Sequence, residues 1–172
     1  VLFCPEDLTI LRAGSANRRR FLDQGLCQLR PKYEAAVLEY NRLLEQKSRI
    51  LRDRFETPSL LQILPEYSQR LCQVGAILIS YRARFLRGLG QEVTRFHREF
   101  SGGKETLEIP YRTVSTVTDP FAPMGVIVGQ LMEHLKDHQR AELESAQCLT
   151  GPHKDDFDAL LDGLSLKSFG SQ

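Results

Sequence analysis

The chain has no tryptophan, two methionines and four cysteines in 172 residues. Cys4, Cys27, Cys72 and Cys148 are scattered, with no close pair of the kind zinc sites use and no secretory leader ahead of them. They read as reduced thiols in a cytoplasmic protein. No apolar run approaches the roughly 18 residues that span a bilayer, so a membrane role has no support. A glycine-rich loop ending in Gly-Lys-Ser/Thr is missing, as is an acid-terminated apolar strand of the Walker B kind. The standard cradle for a nucleoside triphosphate is therefore not in this chain. Gly102-Gly103-Lys104 superficially resembles such a loop, but it follows a helical stretch and precedes a strand-like one, the reverse of the required order. It reads as a helix stop. There is also no internal repeat, no low-complexity tract and no excess of one charge. The net +1 gives no argument for nucleic acid, membrane or an acidic substrate.

What is present is enough apolar side chain, 41% of residues, to bury one core. Charge is unevenly placed: residues 1–100 hold 17 Lys/Arg against 11 Asp/Glu, and residues 101–172 hold 6 against 11. That asymmetry fits a basic arm on an acidic base, and equally fits solvated helix faces in both halves. The start at Val1 and the stop at Ser171-Gln172 without a terminal element lead us to expect a piece cut from a longer chain.

Along the chain, Pro5-Glu6-Asp7 suits a first helical turn. Ser15 is placed to cap a helix running to about Leu29 with Phe21, Leu22 and Leu26 on one side, and Pro31 ends it and starts the next. From Lys32 to Phe55 there is no Gly or Pro, and Val37, Tyr40, Leu44 and Leu51 form a stripe interrupted by Lys47. Leu60, Leu64, Tyr67, Leu71, Val74, Leu78, Tyr81 and Phe85 then alternate spacings of four and three, a seam that wants a partner helix. Beyond it the stripe moves to Leu86, Leu89, Val93, Phe96 and Phe100, which predicts a change of packing partner. Thr57-Pro58-Ser59 is the turn between two antiparallel helices, with Ser59 and Gln62 at capping-box spacing. Pro65 either kinks the second helix or opens one that starts later. A helix from Ser59 to Phe100 would reach roughly 60 Å, a projecting arm.

After Ser101-Gly102-Gly103, alternation at Leu107, Ile109 and Tyr111 predicts an edge strand marked by Pro110. Asp119-Pro120 is placed to cap a last helix carrying Met124, Ile127, Val128, Leu131 and Leu135 and fading near Ser145. Cys148-Leu149-Thr150 reads as a short strand. Asp162-Gly163 suits the turn of a β-hairpin over residues 157–166. The expected class is α+β, mainly α: a long helical hairpin, residues 31–100, on a base of shorter helices and a small sheet, residues 1–30 and 101–172.

Few constellations suggest chemistry. His134 and His138 have metal-binding spacing with Asp137 nearby, but no third ligand is evident, so no metal site is assigned. Arg18, Arg19 and Arg20 form one basic group that could grip phosphates. Their other reading is pairing with Asp23, Glu6 or Asp7 while their stems cover apolar surface. Arg82, Arg84 and Arg87 form a second group on the arm. No interleaved aromatics accompany either group, so backbone contact is the most they could supply.

Pro5-Glu6-Asp7-Leu8 with Ile10-Leu11, then Arg18-Arg19 and Phe21-Leu22-Asp23, resembles the RecF family at matching spacing. Ala13 and Ser15 depart from its usual Gly and Pro. Thr150-Gly151-Pro152-His153-Lys154-Asp155-Asp156 is similar to the family's Gly-Pro-His-basic-Asp-Asp segment, and Ser168-Phe169-Gly170-Ser171-Gln172 to the opening of its ABC-type signature. The resemblance implies an SMC-like ATPase that clamps DNA as an ATP-bound homodimer and works with RecO and RecR to load recombinase at single-stranded gaps. It also implies that ATP and Mg bind the intact protein and not this segment alone. The phosphate loop would lie before the segment and Walker B after it, so no catalytic residue is expected here. Ser171 and Gln172 would meet nucleotide held by the opposing subunit. A stand-alone helical-hairpin interaction module, its seam recruiting a partner helix, is the other reading of the same residues.

Overall fold

The computed structural model describes residues 10–12 and 14–169. Helix α1 (Ser15–Leu29) is followed at once by α2 (Pro31–Asp53). Arg30 between them is extended, at φ −144° and ψ 94°. A residue before proline is pushed out of the α region, and Pro31 is pre-set for a first helical turn, so one dipeptide both ends α1 and begins α2. Ser15 is the first residue of α1 and not its cap; Gly14 takes that place without a side-chain hydrogen bond.

A 3-10 turn over Pro58–Gln62 leads into α3 (Leu64–Ser101), 38 residues long. Pro65 lies in the first turn of α3, where its missing N–H costs nothing, so the helix starts late and is not kinked there. The Ser59–Gln62 pair makes no capping bond, because the helix it was expected to cap begins only after Ile63. α3 ends at Gly102, φ 65°, and Gly103, φ 77°, with the Gly103 N–H closing on the Arg98 carbonyl at 2.9 Å. This left-handed stop requires glycine.

The expected single strand is two, β1 (Leu107–Glu108) and β2 (Tyr111–Arg112). Pro110 has no N–H to give a ladder, and its carbonyl accepts the Asp158 N–H at 3.1 Å at the break. Asp119 organises the turn ahead of α4 (Met124–Ser145), accepting the Phe121 N–H at 2.9 Å. The helix itself opens only after Pro123. Residues 148–150 are loop and not strand. A 3-10 turn at Pro152–Lys154 leads to β3 (Asp156–Phe157), β4 (Leu160–Leu161) and β5 (Leu164–Ser165), then α5 (Leu166–Phe169). β3 pairs antiparallel with β2, while β4 pairs with both β1 and β5. Asp162 and Gly163, at φ 48° and 81°, make the tight β4–β5 turn expected of Asp-Gly.

α3 is the common wall. Its Leu71, Val74 and Leu78 pack on Leu26, Tyr33, Ala36 and Tyr40 from α1 and α2. Its Cys72, Ala76 and Ile79 face Val114, Val117, Ile127 and Leu131. The predicted seam is thus filled from within the chain. Past Tyr81 the partner changes as expected: Leu86 packs on Leu22 and Phe157. Phe100, near the end of α3, is 89% exposed. The result is mainly α, an antiparallel hairpin of α2 and α3 on shorter helices and two small antiparallel sheets.

Candidate functional site

The loop 150–157 crosses the middle of α3, and it does so through charge. Arg82 is 3% exposed and uses every face of its guanidinium. Nε donates to Asp23 at 3.1 Å and to the Tyr33 hydroxyl at 3.0 Å. Nη2 donates to both Asp23 oxygens, at 2.9 and 3.0 Å. Nη1 donates to the Pro152 carbonyl at 2.7 Å and to Asp155 Oδ2 at 3.0 Å. The Tyr33 hydroxyl donates to Asp23 at 2.5 Å, and the Tyr111 hydroxyl donates to Asp155. Burial works against the charged guanidinium, yet Tyr33, Asp155 and Asp23 outweigh it and hold Arg82 above its ordinary range. Burial likewise pushes Asp155 up, opposed by the charge of Arg82. Removing one member would strand a buried charge, the costly way to break such a pair.

One residue on, Asp156 meets a different pair of cations. Arg18 grips it in bidentate fashion, Nε at 2.6 Å and Nη2 at 3.0 Å, and Lys167 Nζ approaches the same carboxylate at 2.8 Å. Partial burial would raise this carboxyl, but hydrogen bonds from Arg18 and Lys167 hold it down to about 2. Arg19 donates to the Asp155 carbonyl at 2.7 Å. Asp155, extended at the end of the 3-10 turn, and Asp156, the first residue of β3, thus face opposite ways, one toward α3 and one toward α1 and the root of α5.

The approach to this loop is equally constrained. Gly151 has φ 128°, and a Cβ there would collide with the Tyr40 hydroxyl. That hydroxyl donates to His153 Nδ1 at 2.8 Å, while His153 Nε2 donates to the Cys148 carbonyl at 2.9 Å. Burial lowers the His153 pKa to about 4, so a neutral ring of fixed tautomer occupies the corner. The Glu142 carboxylate accepts the Leu149 and Thr150 N–H groups at 2.7 and 3.2 Å and pairs with fully buried Lys47 at 2.6 Å. His134 is hydrogen-bonded to Thr150 at 2.9 Å and stacks on His138 at 3.9 Å. His138 donates to the His134 carbonyl. Among the described residues no three side chains form a metal-binding group, and this pair is used in packing the loop.

The basic groups therefore divide. Arg18 and Arg82 turn inward onto carboxylates and backbone carbonyls, which compensate the burial of each guanidinium; this corrects their reading as phosphate contacts. Arg19 is half-buried, while Arg20, Arg84 and Arg87 are exposed, the last lying 4.3 Å over the Phe121 ring. Ser171 and Gln172 lie outside the described residues, as does the turn at Pro5-Glu6-Asp7. Nothing in the sequence links Tyr40 to His153 or Asp155 to Arg82, 113 and 73 residues apart, and the nearer partners of Tyr33 and Lys167, 10 and 11 residues away, fall outside any local helix or strand period. The Lys47 interruption of an apolar stripe was the visible sign of a buried ion pair.

No protein-family model matches the chain. It is 33% identical over all 172 residues to the DNA replication and repair protein RecF of Acetivibrio thermocellus, of which it covers 46%. It is 33% identical to the RecF of Lachnoclostridium phytofermentans and 31% to that of Clostridium perfringens, again over its whole length and 45% of theirs. A solved structure of the recombination mediator protein RecF-ATP in the RecFOR pathway superimposes on 99% of this chain with a TM-score of 0.91 and 28% identity, using 45% of its own length. The chain spans just under half the length of the relatives it matches. Sequence similarity along the whole of this chain and a shared fold together put it in the RecF family.

Proposed function

We propose that this segment is the arm lobe of an ATP-dependent DNA repair ATPase, with residues 31–100 as the arm and 1–30 and 101–172 as its base. In this reading the lobe carries the trans nucleotide contact. Ser171 and Gln172 meet triphosphate held with Mg by a second copy, where a hydroxyl and neighbouring amides stabilise developing charge. The nucleotide supplies the energy of dimer closure; the residues here orient and complete the joint. Arg20, Arg84 and Arg87 are the cations available to a DNA backbone, with Arg19 a partial contributor, whereas Arg18 and Arg82 act inside the fold. RecR and RecO are the expected protein partners in loading recombinase.

The observation that carries the reading is the loop 151–157. In a chain similar to RecF along its whole length, this loop is fixed to α1 and α3 by two buried or half-buried charge clusters, and only the β4–β5 hairpin separates it from the segment that resembles an ABC signature. A scaffold of that stiffness suits a contact that must be presented to another subunit.

The test is Ser171→Arg in the full-length protein that carries this segment. ATP-driven dimerisation, followed by light scattering, is expected to disappear, while ATP binding by the monomer changes less than about twofold, because the cradle for that event lies elsewhere. Unaltered dimerisation would reject the role of Ser171.

A further inference from the structure

Lys167 has no part in the nucleotide contact just described, yet it occupies a singular place. It sits in α5, the last described element, and is three-quarters buried at 25% side-chain exposure. Its ammonium lies 2.8 Å from Asp156 Oδ2 and 3.9 Å from Asp158 Oδ1. Asp156 is itself immobilised from the other side by the two-pronged grip of Arg18. Asp158 is held by the Ser165 hydroxyl at 2.8 Å, and the Leu166 N–H closes onto the Ala159 carbonyl at 2.9 Å. The β5–α5 junction is thus tied to β3 by one flexible cation that reaches two anchored carboxylates.

We propose that Lys167 is a positioning residue for the segment that follows it: its ion pair with Asp156 sets the direction in which the chain leaves β5 toward Ser171. The inference rests on the signature reading of Ser171 above. Physically, a four-residue helix has too few internal hydrogen bonds to hold its own orientation. A partly buried charge-assisted bond to a carboxylate fixed by Arg18 supplies the missing restraint. The ammonium contributes little to global stability, because the fold is held by α3 and its partners, so its effect falls on orientation.

Two measurements on Lys167→Met and Lys167→Arg test this. In the 172-residue chain, amide exchange at residues 166–169 should quicken about fivefold in Lys167→Met, the scale of a lost ion pair, with α3 amides unchanged and Lys167→Arg close to the parent. In the full-length protein, Lys167→Met should weaken ATP-driven dimerisation about fivefold with ATP binding by the monomer intact, and Lys167→Arg should restore it. Ser171→Arg is run beside them. If Ser171→Arg abolishes dimerisation and Lys167→Met does not weaken it, positioning by Lys167 is wrong while the signature reading stands. If Ser171→Arg is without effect, the signature reading fails and the proposal with it, whatever the exchange data show. Loss in both lysine variants alike would show that the charge is not what matters, and would also overturn it.

Discussion

His153 is the residue through which acid should reach this fold first. Its ring is held neutral between the Tyr40 hydroxyl and the Cys148 carbonyl, with its pKa lowered by burial from 6.5 to about 4. The unfolded chain therefore binds the extra proton between those values. Stability is complete above pH 6.5 and is lost as pH falls toward 4, by on the order of 2–3 kcal/mol. Asp156 acts in the same sense but in a lower band: its carboxyl, ordinarily 3.8 and here about 2, contributes stability that is lost only below 3.8. Thermal melts from pH 7 to 4 should show the midpoint falling by several degrees. In His153→Gln, whose amide can both donate and accept, the fall should be clearly shallower, with the lowered His134 accounting for part of what remains. An unchanged slope would place the acid-sensitive group elsewhere. None of this was readable in advance. His153 was visible as part of a motif, but its partners came from residues 113 positions away and five away, which no local pattern links.

Lys47 and Glu142 show how elements are joined where apolar packing gives out. One belongs to α2 and the other to α4, both are buried, and Glu142 also closes the Leu149 and Thr150 amides. Lys47→Met leaves a carboxylate buried without its cation and is expected to cost about 3–5 kcal/mol. Lys47→Met with Glu142→Gln keeps an acceptor for both amides without any charge, and should lie within about 2 kcal/mol of the parent. Urea unfolding of Lys47→Met, Glu142→Gln and the double variant checks this coupling; a double-variant cost equal to the sum of the two single costs would refute it. At this scale the sequence was most legible where covalent geometry decides. Pro31, the glycine pair after α3 and Asp162-Gly163 marked boundaries that the structure has at those places. Caps were misplaced at Ser59 and Asp119, where Pro65 and Pro123 set a later helix start, and at Ser15, where Gly14 takes the cap position. The strands, two residues each, were hard to read because their pairing depends on partners some 50 residues apart.

In the molecule as a whole, α3 contributes to each of the four clusters of buried apolar side chains among the described residues, through Leu71, Cys72, Leu86 and Leu64 in turn. No cluster can loosen without exposing part of the same helix, so unfolding should be a single event. The chain lacks tryptophan, which leaves tyrosine as the intrinsic probe, and Tyr33, Tyr40 and Tyr111 all report on the charged loop. Far-ultraviolet dichroism and tyrosine emission should give one coincident transition; separate midpoints would mean that the loop and the helices melt independently. Sequence periodicity foresaw this shared helix and its change of partner near Leu86. It did not foresee that Arg82, assigned to an exposed basic group, is the bolt through its centre, because the acids that bury it lie 59 and 73 residues away.

That central bolt has a mechanical consequence. Arg82 stands midway between Leu64 and Ser101, with about 27 Å of helix on either side. A rocking of α3 by some 10° about this fulcrum would swing its two tips by about 5 Å in opposite senses while barely stirring the carboxylates at the pivot. Events at one tip would be felt at the other as a seesaw feels them, with the loop beside Asp155 as the still point.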